Sequence, residues 1–310
     1  MSKIVKASEP IQATAIKVLL YGEPGIGKTT FALSAPRPLL IDCDGGVRRV
    51  SPQFRRDYVP VASWDDIMET IGSNLDEYDT FVIDTVGRAL DFLSESIIKG
   101  NYKLGTSGGG LTLQGWGVLG SQFKCLLSAM NASGKHLIFI AHQKEGVEDE
   151  KRYYRPEISG QTLGNIIRDM DLVGYMQSRN NKRTISFNPA DTFYGKNACE
   201  LPPVIELQDL NKKPGEKPLT AIFEHYYASL EKQGEVIQEY EKLLEKHKKA
   251  IGKIKNVDQA NEMIPVLKEA QVIWDSPTIL KIELSNKCKE LGFKYDREME
   301  AYYEPPVEAK

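Results

Sequence analysis

The feature that most constrains this chain is a Gly-x4-Gly-Lys-Thr segment close to its start, with the sequence Gly22-Glu23-Pro24-Gly25-Ile26-Gly27-Lys28-Thr29. The apolar residues 16–21 before it predict a β-strand, and residues 30–35 after it predict the first turns of a helix. In that context, glycines let successive backbone N–H groups point into one concavity, and the helix N-terminus adds partial positive charge. The segment therefore predicts a loop that binds a polyphosphate.

Two side chains of this loop have chemical tasks. Lys28 would reach the β- and γ-phosphates, and the Thr29 hydroxyl would be a ligand of Mg²⁺. Asp84 ends a later apolar run, residues 78–84. An aspartate at this place can hold the magnesium shell through water, or it can cap the next helix. Because a phosphate loop is present, we favour the metal role. We expect ATP and Mg²⁺ as cofactors, with a nucleotide-binding set of Gly22, Glu23, Pro24, Gly25, Ile26, Gly27, Lys28, Thr29 and Thr30.

Composition and cysteine spacing narrow the class of protein. The chain has 310 residues, enough for one large domain and a smaller one, and its net charge of −3 gives no global basic field that would advertise nucleic-acid binding. Four scattered cysteines without a Cys-x2-Cys pair indicate neither a zinc site nor a disulfide framework. No apolar run reaches the length of a signal-peptide core or a membrane span, so we expect a cytoplasmic protein with no membrane partner.

Strand and helix patterns alternate through the first part of the chain. Apolar runs predict strands at residues 16–21, 39–41, 78–84 and 136–141, with helical patterns between them, which is typical of a parallel sheet covered by helices. A hairpin is predicted at 172–177 and 183–187, a polar linker at 209–218, and helices at 229–249, 257–271 and 277–291. We therefore predict an α/β core, residues 1–218, followed by a helical C-terminal module, residues 219–310.

Two carboxylates follow the second strand, where Asp42 and Asp44 flank Cys43. The end of this strand should lie near the phosphate loop, so one of the two could orient the water that attacks the γ-phosphate. Turn chemistry at the Asp-Gly pair and solvation of a strand end are the competing explanations. The residues alone leave this choice open.

This arrangement resembles the RecA-like P-loop ATPases, in particular the phage RecA-like nucleotide-binding proteins related to single-strand annealing and recombination. The resemblance covers roughly residues 15–205 and rests on the segments at 22–29, 40–46, 81–84 and 138–143. It implies that Asp44 activates the water, although the family has the longer glutamate there. It also implies that Gln143 senses the γ-phosphate and relays its state to a DNA-binding loop, and we interpret the neighbouring His142 as structural.

The same resemblance implies partners. RecA-like ATPases act as oligomers that often complete their site with a basic residue from the next subunit, and Lys196 matches that place, with Lys182 and Arg183 as alternatives. Two polar loops, residues 100–117 and 144–160, fall where the family contacts DNA. Aromatic side chains can stack on bases and cations can follow phosphates, so the candidate DNA-contacting residues are Tyr102, Lys103, Lys151, Arg152, Tyr153, Tyr154 and Arg155. Acidic neighbours leave a solvated loop or a protein contact as the alternatives.

The resulting hypothesis is a Mg²⁺-dependent ATPase of the RecA-like class that acts on single-stranded DNA in phage recombination, annealing or replication. The expected partners are single-stranded DNA, further copies of the chain, and a single-strand-binding or replication protein, in the cytoplasm of the bacterial host. One alternative is a small-molecule P-loop kinase, which predicts a lid with several arginines where the second loop offers Arg152 and Arg155. Another is a nucleotide-dependent adaptor or loader that acts on a partner protein.

Overall fold

The computed structural model of this chain describes residues 15–148, 150–159, 162–180, 182–213 and 215–306. The described residues fall into two compact units, one that ends at Tyr227 and one that starts at Ala228. The first unit extends past residue 218, where the sequence places the domain boundary, because the first turns of the next helix bury Leu219, Ile222 and Phe223 in its core.

A large sheet forms the centre of the first unit. Its strands are β1 (Lys17–Gly22), β2 (Pro38–Asp42), β3 (Tyr58–Pro60), β4 (Thr80–Asp84), β5 (His136–Glu148), β6 (Lys151–Pro156), β7 (Leu172–Arg179), β8 (Lys182–Ser186), β9 (Lys196–Asn197) and β10 (Val204–Leu207). The order across the sheet is β10-β8-β7-β1-β5-β4-β2-β3, and the run from β7 to β3 is parallel throughout. The remaining pairs are antiparallel, with β6 on β5 and β9 on β7.

Helices cover both faces of this sheet. They are α1 (Lys28–Ala32), α2 (Trp64–Gly72), α3 (Val86–Gly100), α4 (Leu113–Ala132), α5 (Thr162–Asp169) and the first turns of α6 (Pro218–Gly252). The parallel strands are apolar at consecutive positions, as expected when both faces are buried. One face packs against residues of α2 to α5, and the other packs against α1 and α6. This confirms the predicted α/β class, a mostly parallel sheet between helices.

The prediction of a structureless second loop at residues 144–160 is wrong. β5 continues to Glu148 and pairs with β6 in an antiparallel hairpin, in which Gly146 lies opposite Tyr153. A side chain at residue 146 would collide with the Tyr153 ring, since its Cβ would lie 2.2 Å from the ring carbon Cζ. The Tyr153 ring thus lies over a glycine, an arrangement that alternation of apolar residues does not reveal.

The first polar loop is also shorter than predicted. α3 runs to Gly100, a 3-10 turn follows at Tyr102–Leu104, and α4 already begins at Leu113, with the Thr112 hydroxyl accepting a hydrogen bond from the Gly115 N–H group. This N-cap starts the helix at Leu113, whereas apolar periodicity alone would start the helix at about Trp116. The Gly-rich segment between α3 and α4 is therefore an ordered connection.

The second unit contains the rest of α6, α7 (Val257–Glu269), α8 (Ser276–Glu290) and a hairpin of β11 (Lys294–Asp296) with β12 (Ala301–Tyr303). The helices confirm the predicted helical C-terminal module, and the short hairpin at its end is an addition that the helical periodicity does not predict. Ile251, Leu280, Leu284 and Cys288 form the centre of this unit's own core. Within the described part of the chain, no helix is both long enough and apolar enough to cross a membrane.

Candidate nucleotide site

The Gly-x4-Gly-Lys-Thr segment forms the turn between β1 and α1, at the carboxyl edge of the sheet. Gly25 and Gly27 have φ values of 77° and 98°, in the left-handed region that favours glycine. Glu23 and Pro24 are exposed at the tip of the loop, whereas Ile26 is buried beneath it. This geometry is that of the predicted phosphate-binding loop.

Lys28 is buried inside the loop. Its ammonium donates hydrogen bonds to the carbonyl oxygens of Gly22 and Glu23, at 2.9 and 2.8 Å. Burial lowers the pKa of Lys28 to about 8, against the opposing effect of Asp84, Asp44 and Glu23. The side chain is thus held at the mouth of the loop, where a phosphate oxygen can replace the two carbonyls as acceptor.

The side chains of Thr29 and Asp84 meet at the carboxyl edge of the sheet. Thr29 follows β1 and Asp84 ends β4, and β5 lies between these two strands. The Thr29 hydroxyl donates a 2.6 Å hydrogen bond to Asp84 Oδ2. Burial raises the pKa of Asp84 to about 6, with Asp44 and Asp42 adding to the shift and the Thr29 bond and Lys28 opposing it. Two adjacent oxygen donors, one of them a buried carboxylate, fit the ligand preference of Mg²⁺.

The structure separates the roles of Asp42 and Asp44. Both carboxylate oxygens of Asp42 accept backbone N–H groups, from Gly46 at 2.8 Å and Val47 at 3.1 Å, so Asp42 holds the turn after β2. Asp44 forms an ion pair with Arg49 at 3.2 Å through Oδ2, while its Oδ1 is buried without a hydrogen-bond partner among the described residues. Asp44 is therefore the carboxylate with a free acceptor oxygen at this edge of the sheet.

His142 and Gln143 lie at the carboxyl edge of the sheet on opposite faces of β5. His142 is in register with Gly22, and Ile140, two residues earlier, is in register with Asp84. Gln143 faces the other side, where its Oε1 accepts a 3.2 Å hydrogen bond from the Tyr175 hydroxyl. The sequence interpretation of His142 as structural stays a prediction.

His142 shares the electrostatic environment of the site. Burial lowers the pKa of His142, and the Lys28 ammonium lowers it further, against Asp44 and Glu157. The ring and Asp44 line one cavity of about 390 Å³, together with Thr85, Arg88, Trp116 and Glu157. His142 thus borders a cavity that it shares with Asp44 and with residues of α3 and α4.

A second cavity, of about 420 Å³, lies on the other side of the loop. Thr30 and Gly27 border it, and most of its lining is apolar, including Phe31, Phe54, Met176, Leu201 and Leu207. Its size and apolar character suit a nucleoside base. The lining comes from segments far apart in sequence, so the sequence alone carried no signal for this cavity.

Arg183 is a further basic residue at the phosphate loop. Its Nη1 lies 3.1 Å from the position that a Cβ would take on Gly27, and its guanidinium lies 3.6 Å from Asp209. The sequence offered Arg183 only as an alternative donor to a neighbouring subunit. The structure places Arg183 at the loop of its own chain.

Lys196 lies at the amino ends of the parallel strands, opposite the carboxyl edge that carries the phosphate loop. β9 pairs with the first residues of β7, Leu172 and Val173, whereas the phosphate loop lies beside Met176. The Lys196 ammonium donates hydrogen bonds to the carbonyls of Ile167 and Arg168, at 3.3 and 2.8 Å, and so caps the end of α5. The structure thus gives Lys196 a local role in its own chain.

Five candidate DNA-contacting residues, Lys151, Arg152, Tyr153, Tyr154 and Arg155, form β6 of the hairpin. The Arg155 guanidinium lies 4.1 Å from the centre of the Tyr153 ring and 5.4 Å from that of Tyr194. Arg152 pairs with Glu145 at 3.2 Å, and Arg155 with Glu148 at 3.4 Å. The other two candidates, Tyr102 and Lys103, lie on the turn between α3 and α4, where Tyr102 is 78% exposed.

An aromatic cluster connects the phosphate-loop strand to this hairpin. The Tyr175 ring lies 5.1 Å from that of Tyr21 and 5.6 Å from that of Tyr154. The Tyr21 hydroxyl donates a 2.7 Å hydrogen bond to the carbonyl of Tyr194. Because Tyr21 directly precedes the loop, the hairpin and the loop share packed neighbours.

Comparisons with known proteins bear on this site. A family model described as an AAA domain matches residues 14–199, which include the phosphate loop, Asp84 and His142. Among solved structures, the flagellar accessory protein FlaH from Methanocaldococcus jannaschii is similar, with a TM-score of 0.36 and 12% sequence identity over 62% of this chain and 84% of that chain. No curated protein sequence matches the chain significantly.

Proposed function

Because the chain belongs to the AAA domain family of P-loop NTPases, we propose that it is a Mg²⁺-dependent ATPase of the RecA-like class that acts on single-stranded DNA in phage recombination, annealing or replication. The observation that carries the ATPase proposal is the meeting of Thr29 and Asp84, 2.6 Å apart, next to the buried Lys28 and the free oxygen of Asp44. A loop that only bound phosphate would need neither carboxylate.

The roles follow from the positions of these side chains. The loop N–H groups and Lys28 would hold the β- and γ-phosphates, and Thr29 and Asp84 would hold Mg²⁺, which would supply positive charge next to the phosphates. Asp44 accepts a hydrogen bond from the attacking water and fixes its direction. The base occupies the cavity of about 420 Å³, and Arg183 is within reach of the nucleotide from the same side.

The hairpin of β5 and β6 supports single-stranded DNA as the partner. It presents Lys151, Arg152 and Arg155 next to tyrosine rings, the combination that lets phosphates pair and bases stack. The ion pairs with Glu145 and Glu148 lie at the surface, where such pairs are worth about 0–1 kcal/mol. A phosphate can therefore replace either carboxylate at little cost.

The aromatic cluster supports coupling between the two sites. Burial raises the pKa of Tyr175 to about 12, so its hydroxyl stays protonated and donates to Gln143 at neutral pH. Gln143 also pairs with Pro156 across the hairpin. A change at the end of β5 on hydrolysis would reach the hairpin through Gln143 and Tyr175.

DNA binding is tested by removing two exposed hairpin cations, in Lys151→Ala/Arg152→Ala. The control is Lys281→Ala/Lys289→Ala, which removes the same charge from exposed positions of α8. We expect the hairpin variant alone to bind single-stranded DNA more weakly, with a salt slope reduced by about 0.7 per lost phosphate contact. Wild-type protein without salt-sensitive DNA binding or DNA-stimulated ATPase activity would refute the DNA proposal and leave the ATPase proposal standing.

The cavity of about 390 Å³ beside Asp44 favours a second candidate, phosphoryl transfer to a small acceptor. The two functions differ in their products. Hydrolysis releases one inorganic phosphate for each ADP formed, whereas a kinase forms ADP with little free phosphate. Measuring both products in a cell extract freed of nucleotides decides between them.

A further inference from the structure

Two unpartnered atoms belong to Asp44 and His142, whose side chains interact electrostatically with Lys28 of the phosphate loop. Among buried side-chain oxygens and nitrogens of the described residues, Asp44 Oδ1 and His142 Nδ1 have no hydrogen-bond partner. Buried polar atoms are nearly always paired, so an unpaired one calls for a specific explanation. Both residues line one cavity at the same edge of the sheet, so a group bound there that reaches both atoms would satisfy them together.

The His142 ring is held in place by the backbone around it. His142 lies on β5, between the phosphate loop and Asp84, and its backbone carbonyl accepts a 2.8 Å hydrogen bond from the Glu157 N–H group. The Lys28 ammonium and the Asp44 carboxylate are the charged groups of the phosphate site that act on the ring. The ring therefore lies within electrostatic reach of both the Lys28 ammonium and the Asp44 carboxylate.

We propose that His142 Nδ1 and Asp44 Oδ1 together position the water that attacks the γ-phosphate, an inference that rests on the proposed ATPase function. A water has two O–H bonds, and two fixed acceptors take both of them. Its two lone pairs then point away from both acceptors, and one of them is directed towards the phosphorus. One acceptor alone would leave the water free to rotate.

The step balances with ATP and water as reactants. The water oxygen forms a bond to the γ-phosphorus, and the bond from that phosphorus to the β–γ bridging oxygen breaks, with its electron pair going to the β-phosphate. The water proton passes to Asp44 Oδ1 and from there to the departing inorganic phosphate. His142 keeps its own proton on Nε2 and serves as an acceptor only.

The state of the ring agrees with this role. Burial and the neighbouring Lys28 lower the pKa of His142, so the ring is neutral at pH 7. A neutral imidazole carries one proton, and with that proton on Nε2 its Nδ1 accepts. Gln143 is not available for the same task, since its Oε1 accepts from Tyr175 on the opposite face of β5.

The test compares His142→Ala and His142→Asn with wild type, measuring kcat for phosphate release and the affinities for ATP and ADP. We expect His142→Ala to bind both nucleotides as wild type does and to lose about 10²-fold in kcat. His142→Asn should recover about tenfold of that loss, because its amide oxygen can accept near the position of Nδ1. His247→Ala, which removes a buried histidine of the second unit, is the control with unchanged kcat.

Each other result overturns the inference in a recognisable way. Wild-type kcat in His142→Ala removes the role altogether. A loss of affinity for ATP but not ADP makes His142 a phosphate contact, and equal loss in both variants with lowered melting temperatures makes it structural. A wild type that binds Mg²⁺-ATP without hydrolysing it refutes the proposed function itself.

If both variants fail to fold, a structure of the wild-type protein tests the inference instead. A crystal structure with Mg²⁺, ADP and aluminium fluoride contains an axial oxygen in the place of the attacking water. We expect His142 Nδ1 within about 2.6–3.2 Å of that oxygen. A ring turned away from it overturns the inference.

Discussion

Replacing Asp84 with asparagine should stabilise the protein while it removes the function. Asp84 is 4% exposed, and burial raises its pKa from 3.8 to about 6. A raised pKa means that the fold favours the protonated carboxyl, so stability is highest below pH 4 and falls as the pH rises to about 6. Each pKa unit corresponds to about 1.4 kcal/mol, so the ionised carboxylate lowers the free energy of unfolding by about 3 kcal/mol at pH 7.5.

Asparagine carries no charge and can still accept the hydrogen bond from Thr29. We therefore expect Asp84→Asn to raise the free energy of unfolding by about 3 kcal/mol at pH 7.5 and to change it little at pH 4. Denaturant unfolding at both pH values, without nucleotide or Mg²⁺, measures this difference. The reasoning is refuted if the variant is no more stable than wild type at pH 7.5, or if the difference is the same at both pH values.

Two further substitutions test other parts of the account. Lys28→Met removes a buried ammonium, whose pKa is lowered to about 8 by burial. We expect the affinity for ATP to fall about 10- to 100-fold, and the melting temperature without nucleotide to rise. An unchanged affinity in calorimetric titration would contradict the assignment of Lys28. Gly146→Ala should displace the Tyr153 ring and end its contact with Arg155, at a cost of about 0.5–1 kcal/mol. We expect faster hydrogen exchange in the hairpin of this variant. The control is Gly117→Ala, where the added Cβ meets no atom within 4 Å. Equal exchange in the two variants would argue against the packing role.

The parts of the site that the sequence predicts well are those whose signals are local. The phosphate loop is a contiguous motif, and the strand that ends at Asp84 is a contiguous apolar run. The alternation of strands and helices then requires parallel strands with their carboxyl ends at one edge, which brings Thr29 and Asp84 together. The choice between Asp42 and Asp44 needed the structure, because it depends on which oxygens already accept backbone N–H groups.

The parts that the sequence did not predict depend on long-range pairing. The hairpin has charged residues where alternation would show apolar ones, and it is stabilised by a glycine opposite Tyr153. The cavity of about 420 Å³ beside the phosphate loop combines segments more than a hundred residues apart, such as Phe54 and Leu207. Lys196 lies on a two-residue strand, too short to be predicted, and its pairing with β7 moves it to the far edge of the sheet.

The central claim is that the edge of the sheet with the phosphate loop hydrolyses ATP with water held by Asp44. The most direct measurement is the rate of Mg²⁺-dependent phosphate release by wild type and by Asp44→Asn, with ATP affinity measured on the same samples. The account predicts turnover in wild type, and unchanged affinity with hydrolysis slowed about 10²-fold or more in the variant. Hydrolysis by Asp44→Asn at the wild-type rate would contradict it.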